Sequence, residues 1–180
     1  VEADPDLLIL LGIAPEGPET DYGWIEPGPI LPSPGGLGLF RIRGFWEKPD
    51  AATAAALYRA GCLWNCFVLI GKVRRLLGLF RRYLPEVYEP FARAGVSPGG
   101  LASPGGLDRL YRRLPVSNIS RDLLAKVPSH LAVLPVSGVS WSDWGTEERI
   151  VETLERLGRV EELRHRIEEG ESACLLSASA

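Results

Sequence analysis

Phe45-Trp46-Glu47-Lys48-Pro49-Asp50-Ala51-Ala52-Thr53-Ala54-Ala55-Ala56-Leu57-Tyr58-Arg59-Ala60-Gly61-Cys62-Leu63-Trp64-Asn65 runs from the end of one apolar segment to the start of another. Asp50 is a residue type whose side chain accepts from the amides of a first helical turn, and alanine, the strongest helix former, dominates Ala51 to Ala60. Gly61 stands where a helix end takes a left-handed residue. The flanking segments, Leu37 to Trp46 and Trp64 to Ile70, have the length and apolar content of strands. Strand, capped helix and strand in succession point to an α/β fold.

The rest of the chain extends this alternation. Leu7 to Leu11 is a continuous apolar run between Pro5 and Gly12, the pattern of a strand buried on both faces of a largely parallel sheet. Trp24-Ile25 and Leu37 to Trp46, joined through Ser33-Pro34-Gly35-Gly36, predict a β-hairpin inserted into the fold. Helices are expected over 72–83 and 85–94, with Leu76, Leu77, Phe80 and Leu84 on one face. A short helix near 107–113 and another over 120–127, capped by Ser120, precede a strand at Leu131 to Val136. A loop over 139–146 then leads into a helix at 147–157. Val160, Leu163 and Ile167 mark a last amphipathic helix over 158–171, before a tail at 172–180. Ser-Pro-Gly-Gly recurs at 97–100 and 103–106, inside a loop expected over 95–106. No Gly-Lys-Ser/Thr follows any copy, so the motif reads as turn chemistry and not as a phosphate cradle.

Composition narrows the function classes. The 180 residues are 46% hydrophobic, enough for one substantial core. A net charge of -3 and the lack of a basic, aromatic-interleaved stripe exclude a general nucleic-acid binder. The longest apolar run is too short to cross a bilayer and the start has no basic leader region, so no membrane association is expected. Cys62, Cys66 and Cys174 lack paired spacing and suit a reducing cytoplasm. His130 and His165 are isolated, which excludes a histidine metal cluster. There is no methionine, and a start at Val1 shortly before a strand reads as a piece of a longer protein, with trimming of the initiator as the alternative.

At the end of the first strand stand Glu47 and Lys48, and Asn65 opens the next. An acid and a lysine side by side with an amide suit a ligand carrying both hydroxyls and phosphate, as a sugar phosphate does; a solvated ion pair is the other reading. The chain has 17 arginines against 3 lysines, so Lys48 is a departure from its own preference. A compact ammonium serves as a point charge on phosphate where a planar guanidinium fits differently.

Four islands join polar residues to glycine or proline at strand ends: Pro18 to Glu26, Glu47-Lys48-Pro49, Trp64-Asn65 and Trp141 to Gly145. Their order and spacing, from Leu11-Gly12-Ile13 through Pro18-Glu19-Thr20-Asp21-Tyr22-Gly23 to Trp141-Ser142-Asp143-Trp144-Gly145, resemble those of the sugar-1-phosphate nucleotidyltransferases, especially the mannose-1-phosphate guanylyltransferases. The resemblance covers roughly residues 8–157. It implies a Rossmann-like, layered nucleotide-diphospho-sugar-transferase domain with a mixed sheet, of which residues 1–157 would be the sugar-phosphate-binding, C-terminal half. It also implies attack of a sugar 1-phosphate on the α-phosphorus of a nucleoside triphosphate, with GTP and mannose 1-phosphate as partners and Mg²⁺ as cofactor.

Carried onto this sequence, Tyr22 and Gly23 lie against the sugar, Glu47 accepts its hydroxyls and Asn65 hydrogen-bonds it. Lys48 holds its phosphate, and Asp143, set between two tryptophans in a water-poor loop, binds the metal. Lys48 and Asp143 are thus the expected catalytic residues. Asp122 matches a further acidic position, which a helix-start charge explains equally well. Glu19 also reads as a turn cap, and Asp143 as a partner of the Thr146 helix start.

Three departures qualify the match. Cys66-Phe67 replaces Ser-Gly, Asp21 replaces the glycine before Tyr22, and neither the family's Gly-Gly-x-Gly-Thr-Arg loop nor its first metal aspartate is present. The 180 residues alone are therefore expected to be inactive. The alternatives are a uridylyl- or thymidylyltransferase on glucose 1-phosphate, a non-catalytic sugar-phosphate-binding module, or a glycosidase using two of Glu19, Glu47 and Asp143. Homo-oligomerisation is left open.

Overall fold

A computed structural model describes residues 4, 6–96, 105–161 and 165. The chain forms two compact units, Val1–Val139 and Ser140–Ala180. In the first, the strands are β1 (Leu8–Ile13), β2 (Gly23–Ile30), β3 (Phe40–Glu47), β4 (Leu63–Ile70) and β5 (Leu131–Val136). Helices α1 (Ala51–Arg59), α2 (Val73–Tyr83), α3 (Pro85–Val96), α4 (Gly106–Tyr111) and α5 (Ile119–Asp122) accompany them. The second unit contributes α6 (Glu147–Arg156). The 97–104 part of the expected loop, most of the 158–171 helix and the 172–180 tail lie outside the described residues.

The α1 ends are built as expected. The Asp50 carboxylate accepts from the Thr53 amide at 2.7 Å, which lowers its pKa. Gly61, at φ 73°, donates to the Tyr58 carbonyl and Cys62 to the Leu57 carbonyl, closing the helix with two satisfied end carbonyls.

The α/β character and the mixed sheet hold, but the sheet is mostly antiparallel and is not an open layer. Its strands run β1-β4-β2-β3-β5 and close into a barrel. Among the described strands only β1 and β5 pair in parallel, Leu8 opposite Leu131 through Ile13 opposite Val136. Closure comes from Phe40 opposite Val133 and Arg41 opposite Ala132. The β2–β3 hairpin therefore belongs to the barrel wall. Its pairing register shifts on both sides of Pro27, and such irregularities add the local twist that bends a hairpin around. In β1, Leu8 and Leu10 are buried whereas Ile9 and Leu11 are half-buried, because a barrel strand has an inside and an outside.

The core gathers Leu8, Leu10, Ile25, Ile42, Phe45 and Val133 with residues of α2 and the 123–127 segment. In α2 the buried leucine is Leu79, at 2% exposure, and Leu77 is 46% exposed. Leu76, Leu79, Phe80 and Tyr83 follow the i, i+3, i+4, i+7 spacing of one face, which Leu77 leaves by about 100°. The expected 120–127 helix is shorter and differently capped. Asn118 accepts from the Arg121 amide, Ser120 is buried inside the turn, and 3₁₀ turns continue at Leu124–Lys126 and Pro128–His130. The first Ser-Pro-Gly-Gly is a 3₁₀ turn with Gly35 at φ 74° and Gly36 at φ 68°. No helix among the described residues is long and apolar enough to cross a membrane.

Arg75 ties α2 to the segments that enter the neighbouring strands β1 and β5. Its Nη2 meets His130 Nδ1 at 2.7 Å and its Nε donates to the Asp6 carbonyl at 2.8 Å. Accepting from a guanidinium requires neutral imidazole. Burial, then the charges of Arg75 and Arg82, lower the His130 pKa from 6.5, with Asp6 opposing. The unfolded chain thus binds more protons in this range, so the contribution is complete above pH 6.5 and is lost as pH falls through the lower folded value. Between pH 7.5 and 5.5 the melting temperature should fall more steeply for the wild type than for His130→Asn, whose acceptor does not titrate. Parallel slopes would show that the contact contributes nothing.

Candidate functional site

Backbone pairing assembles one end of the hairpin. Gly23 is opposite Glu47 in the β2–β3 ladder, and the Lys48 amide donates to the Tyr22 carbonyl at 3.2 Å. β4 brings Asn65 to the same place. A Cβ built on Gly23 would lie 3.1 Å from Glu47 Oε2, 3.3 Å from Asn65 Cβ and 3.3 Å from Phe45 Cζ. A Cβ here would be tight against its neighbours, and any side chain would occupy the space beside the carboxylate. Tyr22, Gly23, Glu47, Lys48 and Asn65 are therefore adjacent although 43 positions separate the first from the last.

Each side chain is differently committed. The Asn65 residue is 4% exposed, and its Oδ1 accepts from the Phe67 amide at 3.2 Å, which leaves its NH₂ as a donor. Phe67 adopts φ 64°, the left-handed region that glycine enters without cost. The β1–β4 register shifts here, between Leu10 opposite Leu69 and Gly12 opposite Asn65. The Asn65 side chain is thus bonded to the backbone beside an irregularity in the ladder. Lys48 is exposed and also left-handed, at φ 48°. The Tyr22 ring packs edge-on against Trp64 at 4.9 Å between centroids, and Trp64 packs edge-on against Trp24 at 6.1 Å. Trp64 is a core anchor at 4% exposure, although its indole N–H has no hydrogen-bond partner.

The turn before α5 supplies a residue that the sequence did not single out. Asn118 Nδ2 donates to Glu47 Oε1 at 3.4 Å. The Ser-Asn-Ile-Ser-Arg-Asp string does carry a signal, an N-cap asparagine before a short polar helix. Nothing local says what lies opposite it. Asp122 receives the Asn118 amide at 2.8 Å, Arg121 Nε at 2.8 Å and Ser117 Oγ at 3.1 Å. These bonds, that of Arg121 first, hold its carboxyl far below the ordinary carboxylate range. Its role is within the turn. A cavity of about 30 Å³ between Asn65, Phe67 and Ile119 marks where this turn meets β4.

Glu19 contributes its carbonyl, which accepts from Trp24 Nε1 at 2.8 Å and fastens the loop leading to Tyr22.

Asp143 belongs to the second unit. Arg149 Nη1 donates to both its oxygens, at 3.1 and 3.3 Å, and the Gly145 amide donates to Oδ1 at 3.0 Å. Thr146, not Asp143, caps α6. The expected water-poor setting is not met: Asp143 is exposed and Trp144 is 54% exposed. A cation needs carboxylate oxygens that a guanidinium does not hold, and the described residues contain no group of three or more metal-ligating side chains. This donor set does not by itself fit Mg²⁺.

No family model matches the chain. Individual relatives do. It is 27% identical to the xanthan biosynthesis protein XanB of Xanthomonas campestris pv. campestris over 159 residues, 87% of this chain and 32% of that protein. It is 32% identical to the mannose-1-phosphate guanylyltransferase ManC of Salmonella typhimurium over 99 residues, 53% of this chain and 21% of that one. A crystal structure described as mannose-1-phosphate geranyltransferase from Thermus thermophilus superposes with a TM-score of 0.60 at 32% identity, over 74% of this chain and 36% of that one. The chain spans a third or less of the length of these two curated relatives.

Proposed function

We propose, from the premise that this chain is homologous to part of the mannose-1-phosphate guanylyltransferases, that its first unit binds a sugar 1-phosphate, mannose 1-phosphate above others. The observation that carries the reading is the meeting of Gly23, Glu47 and Asn65, from three strands, at one point beside Lys48. The Glu47 carboxylate accepts a sugar hydroxyl, and the Asn65 NH₂ donates to another. Bare backbone at Gly23 lets the ring approach. Lys48 neutralises the phosphate. The residues thus orient one reactant so that a phosphate oxygen faces outward.

In a whole protein of this kind that oxygen attacks the α-phosphorus of a nucleoside triphosphate, GTP in this proposal, and pyrophosphate leaves. Mg²⁺ is proposed only as the companion of that nucleotide, and no step is assigned to it at Asp143. A cytoplasmic setting is part of the same proposal, in keeping with two unpaired thiols at Cys62 and Cys66.

Calorimetric titration tests the reading. The chain should bind mannose 1-phosphate and give no measurable GDP-mannose with GTP and Mg²⁺, because nothing among its motifs positions the second reactant. Robust turnover would overturn the half-site proposal, and absence of mannose 1-phosphate binding would overturn the sugar reading.

A further inference from the structure

We propose that Asn118 is a positioning residue that aims the Glu47 carboxylate at the sugar hydroxyl; the proposal rests on the sugar-phosphate reading above. Two constraints fix its amide. Its Oδ1 is the helix cap, accepting from the Arg121 amide at 3.0 Å, so the opposite end of the carboxamide is the NH₂. That NH₂ faces Glu47 Oε1 at 3.4 Å. An asparagine whose oxygen is committed to a cap cannot turn over without losing the cap, so the donor stays on the Glu47 side.

The turn that carries Asn118 is itself braced. Its backbone amide and the Arg121 guanidinium both donate to Asp122, and Ser117 Oγ adds a third donor. Asp122 accordingly stays ionised through the acid range in which free carboxyls titrate. Glu47 therefore meets a fixed donor on Oε1, while Oε2 faces the space left open at Gly23. One oxygen is held by the protein and the other is presented to the ligand, along a direction set by the α5 turn. Glu47 sits at a strand end, half-buried.

The test separates this role from capping. Ser caps helices as well as Asn, so Asn118→Ser should melt close to the wild type, whereas Asn118→Asp keeps the cap but meets the Glu47 carboxylate and should melt lower. Neither provides the amide donor. Asn118→Ser should bind mannose 1-phosphate about fivefold more weakly, the effect of one ordinary hydrogen bond. Asn118→Asp sets two carboxylates face to face and should lose more. Inorganic phosphate binding should be unaffected in Asn118→Ser. Equal mannose 1-phosphate affinity in both variants and wild type overturns the proposal.

A second measurement is independent of any ligand. The side-chain NH₂ resonances of Asn118 should move in Glu47→Gln, and their indifference would overturn the positioning role. Failure of the wild type to bind mannose 1-phosphate, with those resonances responding, would remove the sugar reading and leave the Asn118–Glu47 contact standing.

Discussion

Trp24→Ala should destabilise the chain by about 3–5 kcal/mol, the cost of removing a large aromatic from a packed interior. Trp24 is 0% exposed and lies in β2 opposite both Trp46 of β3 and Trp64 of β4. It therefore supports three adjacent barrel strands at once. Its Nε1 also donates to the Glu19 carbonyl, so the same side chain fastens the loop that delivers Tyr22 and Gly23. Trp24→Phe keeps most of the packing and loses that hydrogen bond, and should cost clearly less than Trp24→Ala. Urea unfolding of the three proteins checks the order. A loss below about 1 kcal/mol for Trp24→Ala would mean that the strands repack without it, contrary to the close packing expected around a fully buried aromatic.

Lys48→Ala should weaken mannose 1-phosphate binding by about 10–100-fold, since a hydrogen bond to a charged group contributes about 1.5–3 kcal/mol. Lys48 combines an exposed ammonium with a left-handed backbone at φ 48°, which a side chain tolerates at a cost of about 1–2 kcal/mol and glycine does not feel. Lys48→Gly therefore separates the two properties. It should fold at least as stably as Lys48→Ala and bind as poorly, whereas Lys48→Arg should restore part of the affinity, because charge returns without the compact geometry. Titration calorimetry reads the affinity and thermal unfolding the backbone term. Wild-type affinity in Lys48→Ala would remove this residue from the site.

Much of the frame was legible from local chemistry. The Asp50 cap, the alanine run and Gly61 defined α1, because capping and propensity act within a few residues of one another. The apolar runs located β1, β3, β4 and β5 to within a few positions. The strand expected at Trp24-Ile25 is present but longer, because β2 runs through Pro27-Gly28-Pro29 to Ile30 alongside β3. Leu77 was placed on the wrong side of α2 because a run of apolar residues does not state which of them faces inward.

The site divides along the same line. Its residue types were recognisable, since glutamate, lysine and asparagine at strand ends declare a polar ligand whatever the fold. Their convergence was not, because it depends on pairing between segments distant in the chain. Asn118 reaches Glu47 across 71 positions, and Asp143 finds its oxygens held by Arg149, one turn into the following helix. Both are competitions among donors and acceptors that exist only once the backbone is in place.

By itself, then, the sequence determined the capped α1 helix, the apolar strands and the set of polar residues at their ends, because these follow from interactions within a few residues. The tertiary structure alone decided the closure of the sheet between β3 and β5, the left-handed turns at Lys48 and Phe67, the Asn118 brace on Glu47 and the guanidinium on Asp143. The physical reason is range: propensity and capping are local, whereas strand pairing and the satisfaction of buried polar groups are settled only among neighbours that folding brings together.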